Sequence, residues 1–349
     1  MTKRVEWLDS LRGIAMLAVV LGHAYNFYLS SSSVILKLIY AFHMPLFFMV
    51  SGATFRVSKY ERFRDCLIGE AKRLLVPYLC LYILDLPLWY INRKVVSSSS
   101  ASFSEVLLGL FTANEHIYEM SSTTLWFLPT LFLVSILYWW LADLDRKGKV
   151  RLEGSIILTF AVAIYLIMFH DGAGVWHWAA VPIATVFYYI GNLFMTHCDE
   201  IFDALDVGKK DGKSAVVAIA SLAIGIWAAL ENSKVNMNGH TYGTIALMLI
   251  AALGISLALV ICLASLPTIP LLSYVGQNTL TYVGFHLPLL RIFQKWSLTA
   301  TFAEEHMTLT GILVYLLCVP IAMFVNRFCP FIVGKKKAKR SVESIERNE

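Results

Sequence analysis

The chain has 349 residues, 58% of them hydrophobic and only 15% charged, with a mean hydropathy of +0.65. That balance exceeds what one soluble core can hide, so it excludes an ordinary soluble enzyme and places the chain in a lipid bilayer. The net charge of +5 sits in short loops and a C-terminal GKKKAKR run, which suits anionic lipid rather than nucleic acid, since no basic, aromatic-interleaved soluble domain accompanies it.

Apolar stretches long enough to cross about 30 Å of hydrocarbon fall at residues 8–29, 35–55, 72–92, 124–143, 154–170, 175–197, 214–231, 243–266, 272–293 and 308–330. The sequence therefore predicts an all-α polytopic bundle of about ten transmembrane helices, forming one membrane domain over 1–333 with a basic, disordered tail over 334–349. The fifth and seventh stretches are short, and the run LPTIPLLS before the ninth is also compatible with a re-entrant segment. The first stretch is too long for a signal peptide and lacks a small-x-small cleavage pattern. Lys and Arg crowd alternate loops, at Lys3 and Arg4, Arg56 to Arg73, Arg146 to Arg151, Lys209 to Lys213 and the tail. By the positive-inside rule both termini are cytoplasmic. The opposite loops hold only Lys37, Arg93, Lys94, Lys234, Lys295 and Arg291.

Within the first span, His23 is the most telling residue, because an ionisable side chain in hydrocarbon is disfavoured unless it is paired or faces a polar cavity. At 1.5 Å per residue it lies about 22 Å from the cytoplasmic start of its helix. His43 in the second span, Asp85 in the third and His286 in the ninth reach a similar level, so four ionisable groups share one stratum. Lower in the first helix, Asp9 and Arg12 are spaced to pair, and Arg12 lies eleven residues, about three turns, from His23 on the same face. The basic run RVSKYERFRDCLIGEAKRLL brings Arg62, Arg64, Lys72 and Arg73 to the inner surface, a density suited to phosphates as well as to the topology signal. His43 serves equally as a partner for a neighbouring helix, and Asp85 beside Pro87 equally as a solvated interface residue.

The segment 93–123 is Ser-rich and then reads EVLLGLF, a short amphipathic helix. In the ninth span Thr279, Tyr282 and His286 share a face and are expected to line the cavity that holds His23. The six cysteines show no CxxC pairing, so neither a metal site nor a disulfide framework is expected.

Four stretches, LDSLRGIAMLAVVLGH, FHMPLFFMVSG, KRLLVPYL and VGQNTLTYVGFH, with TLWFLPTLFL a fainter fifth, resemble the acyltransferase-3 family of bacterial membrane proteins. The resemblance implies a bacterial inner-membrane O-acyltransferase that moves an acyl group, acetyl foremost, from cytoplasmic acyl-CoA to a glycan or lipid-linked sugar on the outer side. It implies that His23 is the family's essential first-helix histidine, Arg12 its charged partner, and Lys72 and Arg73 the basic motif tied to acyl-CoA. That motif is poorer here than usual, with a lysine in place of one arginine. No soluble hydrolase-like domain accompanies the membrane domain, so the transfer falls to the membrane unit itself or to a separate partner.

A neutral imidazole suits removal of a hydroxyl proton near neutral pH. His23 is thus expected to be the base, directly or through an acyl-enzyme. Asp85 or His43 would orient it, and Tyr282, Trp126 or a backbone N–H would steady the oxyanion. Two other functions use the same residues: a proton-coupled or solute transporter with buried His and Asp relays, and a non-enzymatic scaffold in envelope-polymer assembly.

Overall fold

The computed structural model describes residues 5–96, 102–113, 123–209 and 212–335. Among them the chain is helical, with a single isolated bridge between Asn236 and Thr241. The helices are α1 (Glu6–Asn26), α2 (Val34–Thr54), α3 (Phe63–Glu70), α4 (Val76–Val96), α5 (Phe103–Thr112), α6 (Phe127–Arg146), α7 (Leu152–Phe169), α8 (Val181–Thr196), α9 (Cys198–Leu205), α10 (Lys213–Glu231), α11 (Ile245–Ser265), α12 (Pro270–Gly276), α13 (Thr279–Lys295), α14 (Ala300–Glu305) and α15 (Met307–Phe328). Nine spans among the described residues are long and apolar enough to cross a bilayer, so the protein is an all-α polytopic membrane protein.

Two expected spans are built differently. The third starts at Phe63, ahead of the expected 72, because α3 runs into α4 through one wide π turn at Ala71–Leu75. The expected ninth, 272–293, is two helices broken at Gln277 and Asn278. Asn278 explains the break: its Nδ2 donates to the Tyr274 carbonyl at 2.7 Å, offering the backbone an alternative to the next helical turn. The amphipathic run EVLLGLF forms α5, started by a capping box between Ser102 and Glu105. It lies against α4, where Tyr82 and Tyr78 donate to the carbonyls of Val106 and Leu110 at 2.5 and 2.8 Å.

Lipid tails are as apolar as leucine, so helices in a bilayer associate through close packing, and small residues set how near two backbones come. α1 and α12 touch through Gly13 and Gly276. A Cβ on Gly13 would stand 2.2 Å from the Leu272 carbonyl oxygen, and one on Gly276 1.8 Å from that of Asp9. α2 and α8 touch in the same way through Gly52 and Gly191, whose added Cβ atoms would meet the Tyr188 and Met49 oxygens at 1.9 and 1.8 Å. Gly191→Val should therefore force α2 from α8 and cost about 1–3 kcal/mol, read as a lowered unfolding temperature in detergent. Gly154→Ala is the control, since a Cβ there meets nothing within 4 Å and the temperature should not fall.

Candidate active site

Periodicity builds the first wall. On α1, Asp9, Arg12, Met16, Val19, His23 and Asn26 recur every three or four residues, and all six face one cavity. On α2 the matching stripe is Tyr40, His43, Phe47, Val50 and Thr54. The third wall is the α13 face carrying Thr279, Val283, His286, Leu287 and Arg291, and Trp126 closes a fourth side. The enclosed volume is about 850 Å³. Its length follows α1 from Asp9 to Asn26, about 25 Å at the helical rise.

Three imidazoles meet in the half of the cavity nearer Asn26. His23 is half-buried, its ring 5.4 Å from that of His286. His286 is fully buried and donates from Nδ1 to the Tyr282 carbonyl, at 2.5 Å. His43 does the same to the Ile39 carbonyl at 2.7 Å, while its ring meets Tyr40 edge-on. A carbonyl accepts only from N–H, so both rings carry a proton on Nδ1, and in the neutral form the lone pair is on Nε2. The His286 Nε2 is buried and has no hydrogen-bond partner among the described residues.

Near the Asp9 end, Arg12 donates to Asp9 at 3.2 Å and to Thr54 Oγ1 at 3.0 Å, which ties α1 to the end of α2. Arg73 is held by Glu70, an almost fully buried carboxylate that also accepts from the Tyr60 hydroxyl at 2.6 Å. The Lys335 ammonium donates to Asn278 Oδ1 at 2.6 Å and Asn326 Oδ1 at 2.9 Å, so it sits on the break between α12 and α13. Arg12, Arg73 and Lys335 all face the cavity.

The expected site residues divide accordingly. His23, His43, His286, Arg12, Arg73, Trp126 and Thr279 line the cavity. Asp85 does not: it lies on the α4 face shared with Tyr82 and Trp89, which packs on α5 through Tyr82 to Val106 and Trp89 to Phe103. Tyr282 is also outside the wall, because its hydroxyl donates to the Tyr315 carbonyl at 2.9 Å, toward α15. Arg62, Arg64 and Lys72 are exposed and away from the wall, at the solvated start of α3 and in the π turn. Glu70, Gln277, Asn278, Lys335, Lys234, Arg291 and Lys295 are wall or supporting residues that the spacing arguments passed over. Glu70 alone carried a legible signal, since it precedes Arg73 by three residues on a helical run.

Residues 5–327 match the family model described as an acyltransferase domain. The chain belongs to the acyltransferase-3 family. No curated protein matches it significantly. The protein is therefore a multi-pass membrane acyltransferase, and the transporter and scaffold readings give way to an enzyme.

Removing Glu70 tests the support of the acyltransferase's Arg73. Glu70→Ala leaves the Tyr60 hydroxyl without its acceptor and the guanidinium without its clamp, so unfolding should become easier by about 1–3 kcal/mol. Glu70→Gln, which keeps an acceptor for Tyr60, should lose less in the same thermal scan. Equal unfolding temperatures for all three proteins would show that the cluster does not support the fold.

Proposed function

We propose that this acyltransferase moves a short acyl group, most simply acetyl, from acyl-CoA held at the Asp9 end to a sugar hydroxyl arriving from the Asn26 end. The observation that supports it best is that one cavity joins the cation set Arg12, Arg73 and Lys335 to His23. Planar guanidinium groups suit phosphate oxygens, and the pairs Asp9–Arg12 and Glu70–Arg73 preset their direction. The CoA phosphates would rest there while the pantetheine arm carries the thioester up the α1 stripe toward His23.

His23, as a neutral imidazole, takes the proton of the acceptor hydroxyl as the oxygen attacks the thioester carbonyl carbon. The new C–O bond forms, the C–S bond breaks, and the thiolate leaves with the proton returned by the imidazolium. Ester and free CoA thiol are the products, with atoms and charge balanced. His286, 5.4 Å away ring to ring with an open Nε2, is placed to hold the His23 ring in one orientation. His43 lines the same chamber, and Trp126 N–H is a candidate donor to the oxyanion.

The positive-inside distribution supports a membrane orientation in which the Asp9 end is cytoplasmic, both termini are inside and the basic loops lie on anionic lipid. The acyl-CoA then comes from the cytoplasm, the acceptor is an outer or lipid-linked glycan, and the membrane is the bacterial cytoplasmic membrane.

His23→Ala should cut acyl transfer by at least about 100-fold while acetyl-CoA still binds, measured by transfer kinetics and by titration with a non-hydrolysable acetyl-CoA thioether. Full activity in that variant removes His23 as the base. Arg73→Gln should instead raise the donor KM about tenfold and leave kcat nearly unchanged. A fall in kcat at constant KM would place Arg73 with the chemistry rather than with the phosphates.

A further inference from the structure

The Asn26 end of the cavity carries a second cation set that the donor does not need. Lys234, Arg291 and Lys295 all line it, together with Asn26, Asn236 and Gln294. Their placement relative to His23 follows from contacts. Lys234 donates to Asn26, three residues past His23, at 2.6 Å, and its ammonium lies 4.5 Å from the centre of the Tyr40 ring. Tyr40 in turn packs edge-on against His43. Arg291 and Lys295 follow His286 on the helix whose His286 ring meets His23, at steps of five and four residues.

Charge in this wall is one-sided. Among the described residues the only carboxylate lining the cavity is Asp9, at the opposite end. Among the described residues neither Lys234 nor Lys295 has a carboxylate within ion-pairing distance, and Glu231, Glu304 and Glu305 are exposed and off the wall. Partial burial holds the Lys234 ammonium below its ordinary pKa. An ammonium has three donors. One reaches Asn26 and the Tyr40 face takes part of the charge, which leaves donor capacity toward the cavity.

Position adds to this. The outward loops of a membrane protein are poor in Lys and Arg. Of the six such residues expected on that side, three line this cavity. The segment bearing Lys234 is also fixed in place: Asn232 accepts from the Thr244 N–H at 2.8 Å and donates to the Tyr242 carbonyl at 3.1 Å, and Asn236 bridges Thr241. The cation is therefore presented by a braced turn rather than by a free chain.

We infer that Lys234 and Lys295, with Arg291 beside them, form an anion subsite for the acceptor, so that the substrate is an acidic sugar carrying a carboxylate or phosphate close to the hydroxyl that is acylated. This rests on the acyl-transfer reading above and adds to it the class of acceptor. The anion is held by these cations at the Asn26 end and docks the neighbouring hydroxyl against His23, while the base itself stays uncharged. Neutral sugars lack that anchor and are discriminated by binding.

The test is calorimetric titration of the purified full chain in phosphatidylcholine nanodiscs with methyl glucuronide, glucose 1-phosphate and neutral methyl glucoside. The two acids should bind at least about tenfold tighter than the glucoside, with the margin shrinking as salt rises. Lys234→Gln/Lys295→Gln should erase that margin while leaving the unfolding temperature and the binding of the acetyl-CoA thioether as they are. Equal binding of acidic and neutral sugars, no binding of either acid, or a margin that survives the double substitution overturns the subsite. Loss of the margin when phosphatidylglycerol replaces phosphatidylcholine assigns these cations to a lipid headgroup and overturns it as well. None of these results bears on His23→Ala, so acyl transfer and acceptor charge fail or stand separately.

Discussion

The contact on which the arrangement depends is backbone against backbone, where α1 meets α12 at Gly13 and Gly276. No side chain fits between them, so the stretch from Asp9 to Gly13 is pressed against the end of a broken helix. That approach sets the break at Gln277 and Asn278 beside Arg12, and it brings Lys335 to the same place through Asn278. A continuous helix at 270–295 would carry its polar break residues inside hydrocarbon with no cavity to face. The broken helix is tolerable because its loosened backbone lines a polar space.

A chain of tyrosine hydroxyls locks the same region from the other side. Tyr282 of α13 donates to the Tyr315 carbonyl of α15 at 2.9 Å, and Tyr315 donates to the Gly13 carbonyl of α1 at 3.0 Å. Three helices are thereby held at fixed heights, which matters because His286 is one turn from Tyr282 and hangs from its carbonyl. Tyr282 thus bears on the ring beside His23 through the backbone, without touching the cavity.

What the sequence made legible was periodicity, and what it hid was direction. The stripe from Asp9 through Arg12 and His23 to Asn26 follows from helical repeat alone, and the structure puts that whole stripe on one cavity. Depth was also readable: His23, His43 and His286 do share a chamber. Asp85 has the right depth, yet α5 packs on its face of α4, and no repeat within α4 reveals where a later helix will dock. Arg62 and Arg64 belong to a basic run whose density was plain in the sequence, but of that run only Arg73, in the π turn and clamped by Glu70, reaches the wall. Lys234 comes from a loop nearly two hundred residues away from Tyr40, and only the tertiary fold could pair them.

Between its two charged ends the cavity is lined by the apolar side chains of Met16, Val19, Phe47 and Val50. The asymmetry of that path bears on how a phosphate-bearing donor and an acceptor can share one chamber. An ionised phosphate leaving Arg12 and Arg73 for this stretch would give up its hydrogen bonds with nothing to replace them, a cost of several kcal/mol per charge. An uncharged thioester arm meets no such barrier. For the proposed acyl-CoA donor, this apolar stretch would act as a depth stop, holding the nucleotide end at the paired arginines while the acyl-bearing tip advances to His23. The same stretch would keep the proposed acidic acceptor from the cations at the Asp9 end, since its charge would be equally barred. On the proposed reading, a polyanionic donor and an acidic acceptor would occupy opposite ends of one 850 Å³ cavity and meet through their uncharged reacting groups, at the level where the imidazoles stand.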